Sequence, residues 1–130
     1  MQYDHRAIFY EVWEKHSRQQ PLTDFETDVL RVLLKYPQYT NNMSQQMIHA
    51  PKGENPYFIL GSHIALYDQV KNNSPKGIQS LYYHACKQHG ADKADAMMLT
   101  VMRELLTEAY SKGDAPSDDV YLKLLKNICQ

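Results

Sequence analysis

Apolar residues recur along this chain at three- and four-residue intervals, and nowhere in the strict alternation of a half-buried strand. Ile8, Phe9, Val12, Trp13 and His16 make one helical stripe, which predicts a first helix from about Asp4 to Arg18, with Asp4 as its cap. A second helix starts with a firmer signal. Thr23 and Glu26 stand at capping-box spacing, where each side chain can satisfy an amide of the first turn. Phe25, Val29, Val32, Leu33 and Tyr36 mark its inward face, and Pro37 ends it, because the residue before a proline is driven out of the helical region.

From Gln38 to Glu54 the pattern lapses into a polar, irregular stretch, with room for one helical turn around Ser44 to His49. A connection this long inside a small domain tends to be functional or mobile. Asn55 and Pro56 then open a third helix, as cap and first-turn proline, running to about Lys71. Lys76 to His89 is a fourth helix with Ile78, Leu81, Tyr82 and Ala85 inward, stopped by Gly90. A fifth spans Asp92 to Lys112 on the stripe Met98, Val101, Met102, Leu105 and Ala109. The last begins after Ser117 and shows Val120, Tyr121, Leu124, Leu125 and Ile128 as its apolar face. The expectation is an all-α, single-domain bundle of about six helices over residues 1–130, with a long loop before the central helix.

Composition changes this picture little. A chain of 130 residues with 43% hydrophobic residues can bury a working core without staples. Its net charge of -1 and scattered basic residues argue against nucleic acid as a partner, leaving only a local patch around Lys71, Lys76 and Lys87. Cys86 and Cys129 form no CxxC pair, and two free thiols fit a reducing, cytoplasmic setting. No stretch approaches the roughly 20 apolar residues of a membrane span.

The third helix is where chemistry would be looked for. It is apolar nearly all round, yet it carries Gly61, Ser62 and His63 at its centre. His63 shares a face with Ile59, Leu66, Tyr67 and Val70. It is either a ligand or proton-transfer group tuned by burial, or, with more weight, a core histidine hydrogen-bonded to a neighbour. Glycine inside a helix costs about 1 kcal/mol against alanine, so Gly61 suggests a neighbouring helix approaching closely. His84 and His89 fall on the solvent side and the helix end. No HExxH or Glu-x-x-His spacing is present, and a metal site would have to gather His63 with Asp92, Asp95, Glu104 or Glu108 from separate helices. Glu108 and Lys112 read as an ordinary surface pair. Neither a nucleophile elbow nor a phosphate-binding loop occurs. The ten tyrosines suit half-buried positions and interfaces.

Several segments are together more specific than any alone: FYEVWEK (Phe9–Lys15), PLTDFE (Pro21–Glu26), YPQY (Tyr36–Tyr39), GENPYF (Gly53–Phe58), GSHIA (Gly61–Ala65) and SPKGI (Ser74–Ile78). In this order and spacing the chain resembles a bacterial family known as domain of unknown function 1841. The resemblance implies no activity, substrate or cofactor. The family pattern favours a second histidine one turn before the His63 position and another early in the long helix; here those places hold Ile59 and, approximately, Ala96. Only His63 carries over, so a shared multi-histidine metal site would be incomplete.

The reading favoured by these features is a non-catalytic binding module, with its pocket around His63, Tyr57, Tyr67, Asn55, Glu54 and Tyr39. A protein partner or a second copy of the chain would be the ligand, and neither metal nor cofactor is called for. The alternative is a metal- or cofactor-dependent helical enzyme using His63.

Overall fold

The computed structural model describes residues 5–41 and 55–129, and every regular element among them is helical. The helices are α1 (His5–Ser17), α2 (Asp24–Leu34), α3 (Pro37–Thr40), α4 (Pro56–Asn72), α5 (Ile78–His89), α6 (Ala91–Lys112) and α7 (Asp118–Cys129). The all-α expectation holds, with one helix more than the periodicity indicated. Pro37 does close α2, but it also opens the four-residue α3, because a proline is preorganised for a first helical turn. The irregular stretch therefore begins later than Gln38. Its remainder, with the turn at Ser44–His49 and with Glu54, lies outside the described residues, as does the cap at Asp4.

By internal contact the chain divides into two compact units, Met1–Ile64 and Ala65–Gln130. The division falls inside α4, so one unbroken helix contributes its first half to one unit and its second half to the other.

In the first unit α1 packs on α2, and α2 on α3. Phe9, Val12, Val29, Val32, Leu33, Tyr39 and Leu60 are its buried apolar side chains. The capping box of α2 is complete: Glu26 N donates to Thr23 Oγ1 at 3.2 Å and Thr23 N to Glu26 Oε1 at 3.0 Å. Two stripe assignments fail here. Phe25 is half exposed, and His16 is exposed with its ring against Trp13. The inward place in the first turn of α2 goes instead to Glu26, whose carboxylate is held by Lys15 at 2.7 Å and by the cap.

The second unit packs α5, α6 and α7 against one another. Leu66 and Val70 from α4 join Ile78, Ala85, Met98, Met102, Tyr121 and Leu125 in one apolar cluster. Asn73 makes the corner between α4 and α5. It takes a left-handed φ of 50°, and its Oδ1 accepts from Gly77 N at 3.0 Å and Gln79 N at 3.2 Å. Gln79 returns a bond through Nε2 to Val70 O at 3.0 Å. One asparagine thus ends one helix and caps the next. Gly90 and Gly113 stop α5 and α6 with positive φ, as their positions predict. Among the described residues no helix is long and apolar enough to cross a membrane.

Candidate functional site

Asn55 caps α4 in the predicted way, accepting from Tyr57 N at 3.1 Å and Phe58 N at 3.2 Å. That places Tyr57 on the first turn, its ring 6.1 Å from Phe9 and its hydroxyl hydrogen-bonded to that of Tyr10. A turn and a half later His63 is 4% exposed. Its Nδ1 lies 2.8 Å from the Tyr36 hydroxyl, and the two rings meet edge to face at 5.7 Å. Tyr36 in turn stacks on the buried Tyr39 at 5.7 Å and 18°. Four of the residues singled out from the sequence, Asn55, Tyr57, Tyr39 and His63, therefore belong to the first unit. Each has a defined neighbour: a helix terminus, an aromatic ring or a phenol.

Tyr67 belongs to the second unit and answers to a different group. Its hydroxyl donates to Asp95 Oδ2 at 2.8 Å, while Tyr82 donates to Asp95 Oδ1 at 2.7 Å. Asp95 is 2% exposed. Tying α4, α5 and α6 to one buried carboxylate leaves its negative charge shared between two phenols. Burial, and after it the Asp95 carboxylate, push the Tyr82 hydroxyl far above the usual tyrosine range. By sequence Asp95 figures only among the carboxylates that a metal site with His63 would have to gather. The signal for its real setting was present: Asp95 falls on the same α6 stripe as Met98, Leu99 and Met102, and a carboxylate on a buried stripe needs donors.

Among the described residues Gly61 does not mark a close helix contact. A Cβ placed there meets no described atom within 4 Å. Among the described residues no three His, Cys, Asp or Glu side chains gather as a metal site. Cys86 and Cys129 are both free thiols. Glu108 and Lys112 pair at 2.6 Å on the surface of α6.

Among the described residues an accessible hollow lies elsewhere, between α6 and α7. A groove of about 240 Å³ runs over Met102, Leu105, Leu106, Pro116 and Tyr121, and the Tyr121 hydroxyl donates to Gln69 Oε1 at 2.8 Å along its wall. A second hollow of about 190 Å³ continues from it, sharing Leu105, Pro116 and Ser117 and adding Ala109, Ala115 and Val120. The helix beside it has an unexpected division of its apolar residues. Tyr121, Leu125 and Cys129 point inward, but Val120, Leu124 and Ile128 are 48%, 38% and 36% exposed. The sequence placed Val120, Leu124 and Ile128 with Tyr121 and Leu125 on one apolar face, and the core takes only half of it.

These features define a class: a helical chain that, among the described residues, holds its buried His63, Glu26 and Asp95 by hydrogen bonds and carries apolar hollows between α6 and α7. The chain belongs to the family described as Domain of unknown function (DUF1841), whose model matches residues 1–127. No curated protein and no solved structure matches it.

Proposed function

We propose that this protein is a non-catalytic binding module whose working surface is the α6–α7 face. The observation that carries the reading is the exposed stripe Val120, Leu124 and Ile128 alongside a continuous apolar groove. Scattered exposed apolar residues are normal, but a contiguous row bordering a hollow marks an interaction site. His63, Tyr57, Asn55 and Tyr39 act as hydrogen-bonding and packing residues of the first unit, and Tyr67 does the same in the second. Two free thiols in the absence of a bonded pair support a reducing, cytoplasmic setting. We take residues 1–130 as one domain, because α4 continues unbroken across the division between the units. A single cooperative thermal transition would agree with that; two resolved transitions would not.

The test is a photoreactive side chain at position 124, with one at the exposed Lys87 position of α5 as control, in the full chain expressed in its native cell. Covalent adducts with a protein through position 124, and not through 87, are the expected result. Their absence overturns the reading.

A further inference from the structure

We infer that the occupant of the α6–α7 face is a second copy of this chain, joined by antiparallel pairing of the two α7 helices. The inference rests on the reading of that face as the binding surface and adds the partner's identity.

The first argument is the width of the apolar arc. At 3.6 residues per turn, Val120, Leu124 and Ile128 together with Tyr121, Leu125 and Cys129 sweep roughly 180° of the helix surface. A helix packed on one core ordinarily shows an apolar stripe of about 100° or somewhat more. The inner half of this arc is covered by the second unit, while the outer half is not. The uncovered half offers an apolar row repeating every four residues, and such a ridge packs into the groove of another helix.

The second argument is charge, and it selects the partner. α7 begins acidic, with Asp118 and Asp119 in its first turn, and turns basic at Lys123 and Lys126. Among the described residues none of these four takes part in an ion pair. A helix with its acids at one end and its bases beyond them complements a reversed copy of itself, whereas a parallel copy would set like against like. Asp119 immediately precedes Val120, and Lys123 immediately precedes Leu124, so the two charges flank the stripe at matching places. A two-fold axis between Val120 and Leu124 lays Val120 on the partner's Leu124 and brings Asp119 beside the partner's Lys123. Symmetry makes each contact twice, as an isologous interface requires. The same register carries Ile128 towards Pro116 and Ala115 of the other copy, where the smaller hollow opens.

Sedimentation velocity on the full chain, over a dilution series, tests this. The expected result is a reversible dimer. Leu124→Glu and, separately, Val120→Lys should leave a folded monomer, with helical circular dichroism unchanged because both positions are exposed. Asp119→Lys and Lys123→Asp should each weaken the dimer by roughly three- to tenfold at low salt, and the double exchange should restore it. A chain that is monomeric up to its highest soluble concentration overturns the inference. So does a dimer indifferent to Leu124→Glu, or a double exchange that restores nothing. Monomer combined with crosslinks to a different protein through position 124 overturns the second copy and leaves the binding surface standing. No adduct of either kind overturns both.

Discussion

The Tyr36 hydroxyl lies 2.8 Å from Nδ1 of His63, and this bond joins the chain just beyond α2 to the centre of α4. With the ring 4% exposed, His63 contributes to packing and to a polar contact at once. Truncating it removes both. His63→Ala should therefore cost about 2–4 kcal/mol of unfolding free energy, and Tyr36→Phe about 1 kcal/mol. Urea titration followed by circular dichroism measures both. Position-124 crosslinking should survive in either variant. Loss of crosslinking in a variant that remains folded would assign His63 to the binding surface.

Asp95 makes a parallel case in the second unit. Removing the carboxylate withdraws the acceptor from Tyr67 and Tyr82 together. Asp95→Ala should destabilise by about 2–4 kcal/mol, with Tyr82→Phe milder at about 1–2 kcal/mol. A double-mutant cycle between positions 95 and 82 should show coupling, since the two groups share one bond. Additive effects would mean that Tyr82 acts through its ring alone.

The same groups fix the response to alkali. Burial and then Asp95 raise the Tyr82 hydroxyl, burial and then Cys129 raise that of Tyr121, and burial raises the Cys129 thiol. For a group whose folded value is raised, the unfolded chain loses the proton first. Stability is then fully present below the ordinary tyrosine value of about 10 and falls as pH rises beyond it. The thiol adds an earlier onset, near its own ordinary value of about 8.5. Denaturation midpoints measured across this range should decline, and should decline less steeply in Tyr82→Phe. A flat profile would contradict the burial of these groups.

The sequence carried the helices well because their signals are local. Thr23 with Glu26, Asn55 with Pro56, Gly90 and Gly113 act through bonds or dihedral angles within a turn or two, and each sits where its type requires. It carried the site less well because a partner across the fold leaves no mark at fixed spacing. That Asp95 meets Tyr67, or that His63 meets Tyr36, depends on how whole helices pack. Phe25 and the outer row of α7 show the same limit. Periodicity finds an apolar stripe but cannot say how much of it the core will cover.

Asn73 holds the corner between α4 and α5. It combines a left-handed φ of 50° with two amide bonds accepted by its side chain. Asn73→Ala loses both features and should cost about 2–3 kcal/mol. Asn73→Gly relieves the dihedral while still lacking the cap, so it should cost less, about 1 kcal/mol. Equal losses in the two variants would show that the dihedral contributes nothing.

Gly61 offers the opposite case, a stabilising substitution in the middle of α4. An added Cβ meets no described atom within 4 Å, and its φ lies outside the left-handed range. Alanine is favoured over glycine in a helix interior by up to about 1 kcal/mol, much of it from the restricted unfolded chain. Gly61→Ala should accordingly raise the thermal midpoint by roughly 3–5 °C. Gly113→Ala is the contrasting control: space is also open there, but φ is 77°, so the same methyl should lower the midpoint. If Gly61→Ala also lowers it, some part of the protein or a partner lies against the helix at that point, and the glycine in GSHIA is there to admit it.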